Sequence, residues 1–178
     1  MTNRDAIPRL ETDRLLLRGH RRDDHAESAA MWADPQVVRH ISGTPFSPEE
    51  SWSRLLRYAG HWALQGFGYW VVEARDDGRF IGEVGLSDFK RDIRPPLDGR
   101  PEAGWVLKTA EHGHGFATEA VTRILAWADE RLASPETVCI VDPEHAASIA
   151  VARKVGFRDE AMGSYEGQPT LIMSRPRP

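Results

Sequence analysis

The segment His112-Gly113-His114-Gly115-Phe116-Ala117-Thr118 carries the strongest chemical signal in the chain. It follows a run that reads as a β-strand and opens a run with helical periodicity. The first turn of a helix leaves backbone N–H groups unpaired, and the helix dipole adds partial positive charge there. Gly113 and Gly115 would let a ligand approach that backbone closely, so the junction suits a phosphate or pyrophosphate. The same glycines equally suit a tight strand-to-helix turn in which they only relieve strain. Two common phosphate motifs are missing. A dinucleotide fingerprint needs Gly or Ala where Thr118 stands, and a P-loop needs a Lys after its last glycine, which no frame here supplies.

Other reactive groups are sparse. Cys139 is the single cysteine, which excludes an internal disulfide and a cysteine-rich metal site; inside an apolar run it suits a small core residue. His112, His114 and His145 lack carboxylate or thiol partners at ligand spacing, so no metal is expected. Lys plus Arg is 23 against 27 Asp plus Glu, a formal charge of −4, without the basic excess of a nucleic-acid binder. No apolar stretch approaches the roughly 18 residues of a membrane span. Met1-Thr2-Asn3-Arg4-Asp5 has no apolar run behind it, so no signal peptide is expected there. A length of 178 residues, 40% hydrophobic and 28% charged, predicts one globular domain over 1–178, expected in the cytoplasm.

The elements that must position the glycine turn can be read from periodicity. Leu15-Leu16-Leu17 predicts a short first strand, and Asp24 with Glu27 has the spacing of an N-terminal cap for a helix to Trp32. Ser47, Pro48 and Glu50 form a capping box ahead of a stripe through Trp52, Leu55, Leu56, Ala59, Trp62 and Ala63, ended by Gly66. Strands over 69–74 and 80–86 flank an Asp77-Gly78 hairpin turn. A Pro-rich stretch, 89–101, is long for a connection and so expected to be functional or mobile. Then come a strand over 102–108, an amphipathic helix over 116–132, a buried strand over 138–141, a helix over 145–155 stopped by Gly156, and strands near 157–165 and 170–174. Helices interrupting antiparallel hairpins give an α+β class with a mixed sheet.

Taken in order, Glu102-Ala-Gly-Trp-Val-Leu107, the glycine turn through Ala120, Val141-Asp-Pro-Glu-His-Ala-Ala-Ser148 and Arg153-Lys-Val-Gly-Phe157 form a pattern. It resembles the GNAT acetyltransferases, and within them the branch that includes the ribosomal-protein N-terminal acetyltransferases. The likeness runs from Leu10-Glu-Thr-Asp-Arg-Leu15 through Phe80-Ile-Gly-Glu-Val-Gly-Leu86 to the closing strands. It implies a mostly antiparallel mixed sheet of about seven strands flanked by four helices, splayed between the fourth and fifth strands. It implies acetyl-coenzyme A as co-substrate, with pyrophosphate on the amides of 113–118 and pantetheine beside Val106, Leu107 and Lys108. An N–H near Val106 or Leu107 would polarise the thioester carbonyl and hold the oxyanion. Two positions depart from the pattern: His112 replaces the usual Arg or Gln, and His145 the usual Asn, whose paired donor and acceptor an imidazole cannot reproduce. Arg153 and Lys154 stand where they could reach the 3′-phosphate or simply be solvated.

Acetyl transfer to an amine needs a base, an oxyanion site and a thiolate stabiliser. No Cys-His arrangement supports a covalent acyl-enzyme, so direct attack in a ternary complex is expected. For the base the reading prefers Glu102, then Glu83, then Glu166; for the group facing sulfur it takes Ser148, three residues after His145. Trp32 and Trp52 could line the acceptor pocket, and the 89–101 loop is expected to border it. The acceptor is a protein N-terminus or a small amine, with net charge mildly favouring a cation. A monomer or homodimer is expected. The alternative is a non-catalytic acyl-coenzyme A sensor.

Overall fold

The computed structural model describes residues 7–178; the segment read above for a signal peptide lies outside them. The strands are β1 (Leu10–Glu11), β2 (Leu15–Arg18), β3 (Tyr69–Ala74), β4 (Phe80–Ser87), β5 (Ile93–Arg94), β6 (Glu102–Leu107), β7 (Glu136–Val141), β8 (Arg158–Tyr165) and β9 (Gln168–Pro176). The helices are α1 (His25–Trp32), α2 (Pro35–Val38), α3 (Pro48–Gln65), α4 (Phe116–Arg131) and α5 (Ala146–Lys154). One nine-stranded sheet runs β1-β2-β3-β4-β6-β7-β9-β8-β5. The sequence reading of about seven strands and four helices lacked β1, β5 and α2, which are two to four residues long and carry no readable period.

Local chemistry explains the elements that were legible. In α3 the Ser47 hydroxyl accepts from Glu50 N at 3.2 Å, Glu50 Oε2 accepts from Ser47 N at 2.7 Å, and Gly66 ends the helix at φ 73°. The β3–β4 turn closes with Gly78 at φ 74°. The cap read at the start of α1 is different. Asp24 accepts from Arg21 N at 2.6 Å and pairs with the Arg18 guanidinium, ending a short 3₁₀ turn, while Glu27 reaches Lys108 Nζ at 2.6 Å. An Arg within reach outbids the helix start because a charge-assisted bidentate pair is stronger than a cap.

The sheet separates two apolar layers. The larger gathers β3, β4 and β6 residues with Val121, Ile124 and Leu125 of α4 and an edge-to-face group of Trp62, Trp70 and Trp127. The smaller packs Met31, Trp32, Val37 and Val38 on Val71 and Phe80. All eight residues of β4 are buried, as a central strand covered on both faces requires. Every strand pair is antiparallel except β6–β7, which register at the single pair Glu102–Val138. Beyond that pair β6 stays on β4 and β7 on β9, so the two strands diverge. The expected splay is present, between the strands predicted as fourth and fifth.

Candidate active site

The divergence leaves one edge of β6 without a strand partner. Lys108 N donates to Ile81 O at 3.0 Å, which sets the alternation of the β4–β6 ladder. Val106 and Gly104 therefore turn their N–H groups toward β4, and Trp105 and Leu107 turn theirs toward the gap. This corrects the reading that left Val106 and Leu107 equivalent: the Val106 amide is spent within the sheet, as is that of Lys108, and only Leu107 of the three faces the opening.

The chain then passes through a 3₁₀ turn into residues 112–115, which are exposed, with Gly113 at φ 79° and Gly115 at φ 80° as the N-cap of α4. Both glycines are required by a left-handed backbone. A Cβ at Gly113 would meet nothing within 4 Å, so the surface above it is open. Among the described residues no hydrogen bond within the protein engages the amides of 113–118. The turn is braced by Arg14, the residue just before β2, which the sequence reading missed. Its Nη1 donates to His114 O at 3.0 Å, its Nε to Glu119 Oε2 at 2.7 Å, and its guanidinium lies 4.6 Å from the Phe116 ring centre. Burial would raise the Glu119 pKa, but hydrogen bonds from Thr12 and Arg14 outweigh it and hold the carboxyl below its ordinary value.

The two departures from the family pattern have defined places. His112 folds back and donates Nε2–H to Leu107 O at 3.0 Å, tying the turn to the open edge of β6. His145 stands at the N-terminus of α5 with its ring stacked on His40 at 4.4 Å, and His40 Nδ1 donates to Asp142 Oδ2 at 2.7 Å. Burial first, and the neighbouring His40 second, push the His145 pKa down, so the ring is neutral at pH 7. Ser148 lies one turn along, half-buried, its hydroxyl without a protein partner among the described residues. Arg153 pairs with Asp159 at 3.0 Å, whereas Lys154 is exposed.

The three carboxylates have separate surroundings. Glu102 is buried, and Arg91 grips it with Nε to Oε2 at 2.7 Å and Nη2 to Oε1 at 3.0 Å. Arg91 Nη1 also donates to the Tyr165 hydroxyl at 3.0 Å. Glu83 is sealed off: its oxygens accept from Ser28 Oγ at 2.8 Å, Trp32 Nε1 at 2.9 Å and His20 Nε2 at 3.3 Å, so it ties α1 to the sheet and has no path to an amine. Glu166 is exposed at the β8–β9 turn, at φ 51°. Cys139 is buried, and burial pushes its thiol pKa up, which suits a core residue.

Arg91 also lines a cleft of about 470 Å³ between α3, the 89–94 segment and the β8–β9 turn. The Pro-rich stretch is thus pinned rather than loose, since β5 pairs with β8 and Ile93 is buried. Trp32 is committed to Glu83, and Trp52 packs on His25 at 5.2 Å, so neither lines this cleft. The aromatic rings that line it are Phe89 and Tyr165, and behind Phe89 stands Tyr69, which stacks on Tyr58 at 4.4 Å. The Tyr69 hydroxyl lies over Gly104 of β6, where a Cβ would occupy the same space. Gly104→Ala is expected to destabilise by about 2 kcal/mol through overpacking. Tyr69→Phe in the same chain should recover part of it, a coupling that urea melts of the double-mutant cycle would measure.

An open strand edge running into an open glycine turn at a helix start is the donor-site arrangement of one class of transferase. The family described as acetyltransferase (GNAT) domain matches residues 14–158, and the chain belongs to that family, as an acetyl-coenzyme A-dependent acetyltransferase. It is 25% identical over 154 residues to the N-acetyltransferase p20 of Bacillus licheniformis, covering 86% of this chain and 84% of that protein. A GNAT-family acetyltransferase of Bordetella pertussis superposes with a TM-score of 0.83 at 26% identity, covering 94% of this chain and 99% of that one. The ribosomal L7/L12 alpha-N-protein acetyltransferase RimL, solved with coenzyme A, has the same fold at a TM-score of 0.78 and 14% identity, over 95% and 98% of the two chains. Among the described residues no helix is long and apolar enough to cross a membrane.

Proposed function

We propose that this chain moves the acetyl group of acetyl-coenzyme A to a primary amine by direct attack in a ternary complex. The observation that carries the reading is the continuity of unpaired donors, from Trp105 and Leu107 on β6 to the amides of 113–118. Such a track fits an extended ligand with amide groups at one end and a pyrophosphate at the other. Residues 113–118 would hold the pyrophosphate, with Arg14 behind them adding positive charge. Leu107 and Trp105 would pair with the pantetheine arm, and one of their N–H groups would polarise the thioester carbonyl. His145, neutral, offers one hydrogen bond to that arm, and Lys154 is free to meet the 3′-phosphate. Acetyl-coenzyme A supplies the activated acyl group; the residues of this chain bind, orient and manage protons.

Glu102 is the proposed base, reached directly or through a water. Arg91 holds both its oxygens in place and, being cationic, favours the neutral form of an arriving amine. Ser148 is the proposed partner of the departing sulfur. Thiol release from acetyl-coenzyme A over a library of amines and peptides tests the activity. Glu102→Gln should lower kcat by about 100-fold, the scale of a lost general base. Ser148→Ala should lower it by roughly 5-fold, the scale of one neutral hydrogen bond. Full turnover in both variants would remove these assignments.

A further inference from the structure

We propose that the amine acceptor carries a carboxylate, and that Arg57 on α3 is its seat. The inference rests on the acetyl-transfer reading and names the substrate class of that site. Most charges lining the 470 Å³ cleft are already matched. Arg91 pairs with Glu102, Lys90 with Asp88, and Arg94 with Asp92 at 3.5 Å. Two groups are left over: Arg57 and Glu166, neither of which has an ion-pair partner among the described residues. One unmatched cation and one unmatched anion in a cleft are the complement of a zwitterion, an amine and a carboxylate on one small molecule.

Arg57 is exposed to solvent and at the same time held at the cleft. Its guanidinium lies 4.3 Å from the centre of the Phe89 ring, which holds it over the cleft. One turn earlier, Arg54 is stacked 4.0 Å over Trp32 and 4.8 Å from Phe46, with its buried Nε lacking any acceptor. Two adjacent guanidinium groups without a carboxylate between them repel, and an anion bound there relieves the repulsion. The carboxylates nearest on α3 do not serve. Glu50 is closed into the capping box with Ser47, and although Glu49 and Glu50 line the neighbouring cleft together with Arg54 and Arg57, neither forms an ion pair with these guanidinium groups among the described residues.

The position also aims the amine. Phe89 stacks toward Tyr69 at 6.2 Å, and the Tyr69 hydroxyl lies over Gly104 on the strand whose far edge is open. Arg91 joins the cleft to Glu102 directly. A carboxylate on Arg57 leaves the amine of the same molecule in the cleft beside Arg91, whose guanidinium also grips the proposed base. The chain-wide charge of −4 would steer a cation, but the local sign at the cleft decides what is held.

The test is thiol release with each proteinogenic L-amino acid, its carboxamide, the peptide Gly-Glu-Gly-amide, and spermidine. Free amino acids should be preferred over their carboxamides by about 30-fold in kcat/KM, the scale of a charge-assisted hydrogen bond, with spermidine poorest. Arg57→Gln should raise KM for the carboxylates by at least about 10-fold and close the gap, and Arg57→Lys should restore part of it. Turnover of the peptide with the same dependence on Arg57 would assign the carboxylate to an acidic side chain instead of an α-carboxylate. Preference for spermidine or the carboxamides, or a gap that survives Arg57→Gln, overturns the proposal while leaving acetyl transfer intact. If no amine releases thiol, acetyl transfer fails separately. Calorimetric titration with N-acetylglycine then decides the seat: binding lost in Arg57→Gln supports it, and absence of binding to the unsubstituted protein overturns it.

Discussion

Replacing Thr118 by Glu is expected to weaken coenzyme A binding about 30-fold while raising the melting temperature of the protein. Thr118 is the third residue of α4, whose N-cap, Gly115, offers no side chain to the free amides. A Glu at this position can fold back onto the N-cap N–H and places a negative charge at the positive end of the helix. That stabilises the fold by about 0.5 kcal/mol. The same charge occupies the donors that a pyrophosphate would use and repels it. Stability and binding thus move in opposite directions, which a merely damaged fold cannot do. Thr118→Gln keeps the size of Glu without its charge, so its binding loss should be a small fraction of the Glu variant's. Isothermal titration with coenzyme A and a thermal melt measure both quantities. Equal losses in the two variants, or a melting temperature that falls, would show that the open amides are not an anion seat.

Glu83→Ala is expected to cost about 4 kcal/mol, because three buried donors lose their acceptor together. At this chain length that corresponds to a drop of about 10 °C in melting temperature. The carboxylate has no solvent exposure and gathers Ser28, Trp32 and His20 around it, so removing it unties α1 from β4. Burial by itself would raise the Glu83 pKa, but the combined bonds from His20, Trp32 and Ser28 outweigh it and hold the carboxyl below its ordinary 4.5. A carboxylate depressed in the native state stabilises the fold above its unfolded pKa. That contribution is lost as pH falls through the lower native value. The unsubstituted protein should therefore lose stability more steeply below about pH 4.5 than Glu83→Gln, which has no proton to gain there. Urea melts between pH 7 and pH 3.5 check the slopes. Because Glu83 is sealed from the cleft, Glu83→Gln should retain turnover below its melting range; a loss of about 100-fold in the folded variant would return Glu83 to the list of bases.

Much of this arrangement is local enough to be legible in the chain. The capping box before α3, the Asp77-Gly78 turn, the apolar stripe of α4 and the glycine turn at its start each depend on neighbours within a few residues. Their stereochemistry leaves few options for L-residues. The order of motifs led to the family for the same reason, since the proposed donor site is made largely of backbone and a short stretch specifies it. What could not be read is what depends on partners that only the folded chain brings together. Asp24 looked like a cap until the fold set Arg18 on its carboxylate, and Glu83 looked like a base until His20 and two donors of α1 covered it. The cleft proposed for the acceptor is assembled from α3, the 89–94 segment and the β8–β9 turn, and no periodicity announces it.

By itself, then, the amino-acid sequence determined the class of the protein and the place of its open glycine turn, because helix caps, glycine conformers and strand periods are short-range matters. The tertiary structure decided which amide of β6 is open, which carboxylate is sealed and which is gripped by Arg91, and that Arg57 and Glu166 remain unmatched among the described residues. Those depend on strand alternation and on which ion pairs the folded chain closes, such as Arg91 with Glu102. Charge pairing in particular is a contest among all the partners that folding brings together, and only the folded chain fixes which of them are left over.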